Sequence, residues 1–174
     1  IDANSDRNGV KDNTATATSK KRGTALANAI LTNAGTDADE DISGNALTAT
    51  SNNGGYSRTN LTATSTDRAV TLNTQTSTTG KNGTAIALAN LTSTGTDTGD
   101  DVSGNTLTAT SEKNGYSKSD LTANATKKVI DNTATATSGK NGSSLAEADV
   151  TAGNNNTRNA TDSTAGENGV AYSM

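Results

Sequence analysis

Small or apolar residues alternate with threonine along most of this chain. Leu47-Thr48-Ala49-Thr50-Ser51 and Leu61-Thr62-Ala63-Thr64-Ser65 are typical. Period two predicts short strands with Leu and Ala on a buried face and Thr on the opposite one. The same word returns every 13 to 16 residues. The residue before each recurring threonine forms an inward column: Ile1, Ala15, Leu31, Leu47, Leu61, Gln75, Leu91, Leu107, Leu121, Ala134, Val150 and Thr161. Two positions further on the residue is mostly Ala or Ser. The threonines themselves (Thr16, Thr32, Thr48, Thr62, Thr76, Thr92, Thr108, Thr122, Thr135 and Thr151) predict an outward ladder. Thr18, Thr50, Thr64, Thr78, Thr94, Thr110 and Thr137 predict a second ladder beside it.

Five residues before the inward column lies a second apolar column: Val10, Leu26, Ile42, Tyr56, Val70, Ile86, Val102, Tyr116, Val129, Leu145 and Val170. An odd separation between two inward positions requires a bend, so each coil is expected to carry a second strand beyond a corner. Asn13, Asn45, Asn73, Asn105, Asn132 and Asn159 fall at that corner, where a side-chain amide can satisfy backbone groups and stack on its own kind. Asn53-Gly54, Asn82-Gly83, Asn114-Gly115, Asn141-Gly142 and Asn168-Gly169 mark the other corner and supply positive φ.

A longer repeat of about 60 residues overlies the short one. Asn13-Thr14-Ala15-Thr16-Ala17-Thr18 returns as Asn73-Thr74-Gln75-Thr76-Ser77-Thr78 and as Asn132-Thr133-Ala134-Thr135-Ala136-Thr137. These periods predict an all-β fold: one thin, two-sided β-solenoid domain over residues 1–174, with about twelve coils of 11–16 residues. Four coils make each super-repeat, at approximately 10–69, 70–128 and 129–174. At about 4.8 Å per coil such a stack would be about 57 Å long.

Composition sharpens this picture. Apolar residues are only 29% of the chain, and Pro, Cys, His, Trp and Phe are absent. That is too little for one large core, so thin closed layers must take its place. Without His or Cys the usual catalytic triads and soft-metal sites cannot be built, and no enzymatic activity is expected. A net charge of −4 and three dispersed Tyr residues argue against nucleic acid. No apolar run is long enough for a membrane-spanning helix.

Two charge features stand out. Asp37, Asp39 and Asp41 are spaced like the start of a calcium loop, but Ile42 stands where that loop needs Gly. No cofactor is expected, and calcium at those three residues is the one metal candidate. If each coil is one turn, Lys20-Lys21-Arg22 lies one turn below the acidic run Asp37 to Asp41. Lys81 likewise lies one turn below Asp97, Asp100 and Asp101, and the neighbouring opposite charges would help fix register.

The Thr-x-Thr coils (Thr16/Thr18, Thr48/Thr50, Thr62/Thr64, Thr76/Thr78, Thr92/Thr94, Thr108/Thr110 and Thr135/Thr137) resemble those of insect antifreeze β-solenoids. That resemblance implies a flat threonine array that binds ice, with the second threonine replaced at Ala34, Asn124 and Gly153. In its stacking, though not in its repeat signature, the chain also resembles the curli-like extracellular fibre proteins. The two ends are in phase with the repeat. Ile1-Asp2-Ala3-Asn4 aligns with Leu61-Thr62-Ala63-Thr64, Val170 stands in the second apolar column, and Met174 stands one position before the next inward residue. A head-to-tail junction between copies would therefore use Ile1, Asp2, Asn4, Asp162, Val170 and Met174, with Asp2 and Asp162 facing one another. The leading expectation is a secreted, extracellular structural protein whose partner is itself, assembling into a solenoid filament. An ice-binding role, with the ice surface as partner, is the alternative, and a repeat segment of an adhesin stalk is a further one.

Overall fold

In the computed structural model, which describes residues 1–6, 9–36 and 40–174, the chain winds into a β-solenoid whose strands all pair in parallel. Three sheets run along the stack. A broad sheet of seven strands contains Asp2–Ser5, five ten-residue strands from Thr24–Asn33 to Ser143–Ala152, and Val170–Ser173. A second sheet consists of six six-residue strands, from Thr14–Ser19 to Ala160–Ala165, and is called here the threonine sheet. A narrow sheet of two- and three-residue strands, from Val10–Lys11 to Asn155–Thr157, joins the end of the broad sheet to the start of the threonine sheet.

The solenoid class is as expected, but the turn is twice as long. Each turn consumes two of the short coils, one on each main sheet, so there are about six turns rather than twelve. The stack is roughly 29 Å long and the broad strands span roughly 33 Å across it. The register shows why the short repeat misleads. Thr16 pairs with Thr48, then Thr76, Thr108 and Thr135, at intervals of 32, 28, 32 and 27 residues. The 60-residue period is thus two turns of unequal length. The difference arises at the corner after the broad sheet, where eight residues separate Asn33 from Ile42 and Ser93 from Val102, but four separate Ser65 from Val70.

The unequal turns shape the core. On the inner face of the broad sheet one column reads Ala3, Leu31, Ala63, Leu91, Ala123, Val150, and its neighbour reads Ala29, Leu61, Ala89, Leu121, Ala148. Large and small residues therefore alternate up each column and out of phase between the two, so that each leucine has alanines above and below it. Leu31, Leu61, Leu91 and Leu121 are at most 1% exposed. Val10, Ile42, Val70, Val102 and Val129 close this layer from the narrow sheet.

The second apolar column divides. Its narrow-sheet members point inward, as expected, but Leu26, Tyr56, Ile86, Tyr116, Leu145 and Val170 point outward from the broad sheet. The bend inferred from odd spacing exists in every second coil only; in the others the same five residues run inside one long strand. Toward the opposite edge the core thins to Ala and Ser. There Ser57 and Ser77 join their hydroxyls at 2.8 Å, and Ser119 Oγ donates to the Thr135 carbonyl at 2.6 Å across the two sheets.

Both corners use the predicted residues. At one, the six asparagines from Asn13 to Asn159 form an unbroken ladder, each Nδ2 donating to the next Oδ1 at 2.8–3.0 Å. At the other, the positive φ falls on Asn82, Asn114, Asn141 and Asn168, whereas Arg22 and Gly54 take that place in the first two turns. The following glycine is needed for closeness: a Cβ on Gly115 would lie 2.9 Å from the Gly83 carbonyl oxygen and 2.7 Å from Ser111 Cβ.

The charge neighbours differ from expectation for the same reason as the turn count. Lys20-Lys21-Arg22 and Lys81 lie at the glycine corner, whereas Glu40 and Asp41, expected beside the first, and Asp97, Asp100 and Asp101, expected beside the second, lie half a turn away at the corner between the broad and narrow sheets; Asp37 and Asp39 fall outside the described residues. Asp100 and Asp97 are instead met by Arg68 of the short corner one turn earlier, at 3.3 and 3.9 Å.

Candidate functional site

The ten predicted ladder threonines lie on two faces. Thr16, Thr48, Thr76, Thr108 and Thr135 stack in one column of the threonine sheet, and Thr18, Thr50, Thr78, Thr110 and Thr137 stack beside them, all facing outward. A third outward column, Thr14, Ala46, Thr74, Thr106, Thr133 and Ala160, completes the face. Thr164 extends the second column, while Asp162 follows Thr135 in the first. The recurring Asn-Thr-x-Thr-x-Thr word carried the signal for the third column. Of all outward positions in these strands, only Ala46, Ala160 and Asp162 are not threonine.

The remaining predicted threonines belong to the broad sheet. Thr32, Thr64, Thr92 and Thr151 share a column with Asn4 and Asn124. Thr62 and Thr122 share one with Asp2, Ile30, Asn90 and Asp149. Thr94 is the first residue beyond its strand, where its hydroxyl donates to the Thr66 carbonyl at 2.5 Å. The outer broad sheet is chemically mixed. Leu26 and Ile30 are about half exposed, and Lys118 Nζ is held between Asp120 and Glu147 at 3.1 and 2.7 Å. The hydrogen bond to Glu147 is the main cause that raises the Lys118 pKa.

The threonine face is geometrically regular. Threonines repeat about 4.8 Å apart along the stack and about 6.7 Å apart along each strand, at two residues per repeat. Each side chain is β-branched and stiff at χ1, and most are half-buried between the threonines above and below. The face presents rows of methyl and hydroxyl groups with one carboxylate, Asp162, in its last described row.

The other candidates are separated. Asp2 lies on the broad sheet, in the column of Ile30, while Asp162 lies on the threonine sheet, so the two carboxylates do not face one another along the stack. Ile1 donates its amino group to the Asn28 carbonyl at 2.8 Å, and Asn4 pairs with Thr32. Val170 pairs with Ser143, and Met174 N–H donates to the Ala146 carbonyl at 2.9 Å. Of the calcium candidates, Asp37 and Asp39 lie outside the described residues. Asp41 accepts from the Ala69 N–H at 3.2 Å, and partial burial raises its pKa. Among the described residues no three acidic side chains gather at metal-binding distance.

Sequence reasoning missed the buried carboxylate that organises each long corner. Asp100, 3% exposed, accepts from the Asp97 N–H at 2.7 Å and from Arg68 Nη1 at 3.3 Å, while Ser93 Oγ reaches the carbonyls of Arg68 and Asp100. Glu40, equally buried, occupies the matching place two turns earlier, where a Cβ on Gly35 would collide with its carboxylate. The shared signal is an acidic residue two before the narrow-sheet valine or isoleucine, five after a glycine. No family model matches the chain, and no curated protein or solved structure is significantly similar to it.

Proposed function

We propose that the threonine sheet binds ice. One observation carries this reading: the two main sheets share a backbone, a stack and a need for β-formers, yet only one of them is threonine at all but three of its outward positions. β-propensity and solubility would act on both sheets alike. The broad sheet meets them with Thr, Asn, Tyr, Ile, Lys and Glu, so they do not account for the threonine face opposite. A two-dimensional array of one rigid side chain suits a ligand that itself repeats in two dimensions. A crystalline water surface is such a ligand, and weak contacts summed over many identical positions would hold it. The resemblance of the Thr-x-Thr rows to insect antifreeze solenoids supports the same reading. Secretion to where extracellular ice forms belongs to the proposal.

The test is ice-crystal shaping and thermal hysteresis by the 174-residue chain. Wild type is expected to facet growing crystals. Thr76→Lys and Thr108→Lys, at the centre of the threonine sheet, are expected to abolish this, while Thr64→Lys and Thr92→Lys on the broad sheet leave it intact. Round, unfaceted crystals with folded wild-type protein would sink the proposal, as would equal loss from both pairs of variants.

Assembly into filaments is a second reading, supported by the stack itself. Every turn presents in-register parallel strands and an asparagine ladder, which form a template for a further turn in the same register. Electron microscopy of concentrated protein separates the two readings: filaments one solenoid wide support assembly, and dispersed particles that still shape ice support ice binding alone.

A further inference from the structure

The glycine corner carries a row of exposed lysines, of which Lys81 and Lys113 make no ion pair among the described residues, although Glu112 adjoins Lys113 in the chain. Ladder hydrogen bonds fix its register: the N–H groups of Gly54, Asn82, Asn114 and Asn141 donate to the carbonyls of Lys81, Lys113, Lys140 and Glu167 at 2.7–3.0 Å. Lys81, Lys113 and Lys140 therefore stand one above another at about 4.8 Å per turn. Asn53 precedes them in the column, and Lys20, Lys21 and Arg22 extend the basic edge one turn below Asn53. Among the described residues only Lys140 of this row has an ion pair, with Glu167 at 2.8 Å.

Like charges at this spacing repel, and where the molecule stacks them elsewhere, as with Asp120 beside Glu147, an opposite charge bridges the pair. On the broad sheet Lys118 is flanked by Asp120 and Glu147, and on the narrow sheet Arg158 grips Asp131 at 2.6 and 2.7 Å. Beside each lysine an exposed asparagine holds a left-handed turn, with Asn114 Nδ2 donating to Asn82 Oδ1 at 3.1 Å. Tyr116 and Tyr56 face outward from the broad sheet directly after the glycines of this corner, two turns apart.

We propose that this edge binds an extended acidic polysaccharide. A single file of ammonium groups fits a chain with one carboxylate at each repeat. The amides beside it match sugar hydroxyls, and the tyrosine rings offer flat apolar faces to sugar rings. Nucleic acid fits less well, because the row is one lysine wide on a chain of net charge −4. This site lies off the threonine face and does not depend on ice binding.

The experiment is titration of the full chain with an oligogalacturonate, followed by calorimetry at low salt. Binding is expected to weaken on the order of tenfold in the Lys81→Gln/Lys113→Gln double variant, and to fall as salt rises. Lys11→Gln, on the narrow sheet, is expected to bind as wild type does, and melting curves verify that each variant is folded. Absence of binding, undiminished binding by the folded double variant, or tighter binding of a single-stranded oligonucleotide of equal charge would each overturn the proposal.

Discussion

Asn73 gives both its backbone N–H and its side-chain Nδ2–H to one acceptor, the Oδ1 of Asn105, at 3.1 and 2.9 Å. Its own Oδ1 accepts the same pair of donors from Asn45, and its Nδ2 also reaches the Ile42 carbonyl at 3.3 Å. Asn73→Ala would strip the buried Asn45 N–H of its acceptor and take the amide donor away from Asn105 Oδ1 and the Ile42 carbonyl. It is expected to cost about 2–4 kcal/mol, read from urea unfolding. Asn13→Ala, at the partly exposed first rung, should cost less than half as much.

Gln75 occupies the inward column of the threonine sheet between Leu47 and Leu107. It is fully buried and neither amide atom has a hydrogen-bond partner. Leucine is close in volume and removes two desolvated polar atoms. Gln75→Leu is expected to stabilise the fold by about 1–3 kcal/mol. A lower melting temperature would show that the amide is satisfied in solution.

Leu72 holds φ at 54° in the position before the ladder asparagine, where Gly44 and Gly104 stand one turn to either side. A γ-branched residue is disfavoured in this left-handed region, whereas Asn tolerates it. Leu72→Asn is expected to gain up to about 1 kcal/mol, seen as a rise in melting temperature without change in spectral shape.

Asp41 binds its proton more tightly in the folded state, chiefly because burial disfavours the carboxylate, against the opposing pull of the Ala69 N–H, Lys11 and Arg68. A raised acid pKa means that the folded chain holds more protons than the unfolded one between the ordinary value of 3.8 and the raised one. Stability must therefore fall as pH rises through that window. Asp41→Asn keeps an acceptor for Ala69 and removes the titration. The variant should match wild type below the window and exceed it above, in melts run across the acid range.

The inward leucines, the asparagine corner and the solenoid class were all legible in the alternation of residues. The division of the threonines between two sheets was not, because both sheets use one word. Leu47-Thr48-Ala49-Thr50 lies on the threonine sheet and Leu61-Thr62-Ala63-Thr64 on the broad sheet. Period two specifies which side of a strand is buried but not which sheet the strand joins. What separates the two is the flanking chemistry: an asparagine ladder residue shortly before one, and a glycine corner before the other. The same ambiguity hid the outward tyrosines, whose five-residue distance from the next leucine equals that of the buried valines.

The out-of-phase leucines and alanines carry a consequence for how such a molecule lengthens. A single duplicated turn would set leucine over leucine in one column and alanine over alanine in the next, creating a clash and a void at the same level. Duplicating two turns preserves both columns. These two columns therefore have parity: they keep their large-over-small packing only when turns are added or removed in pairs.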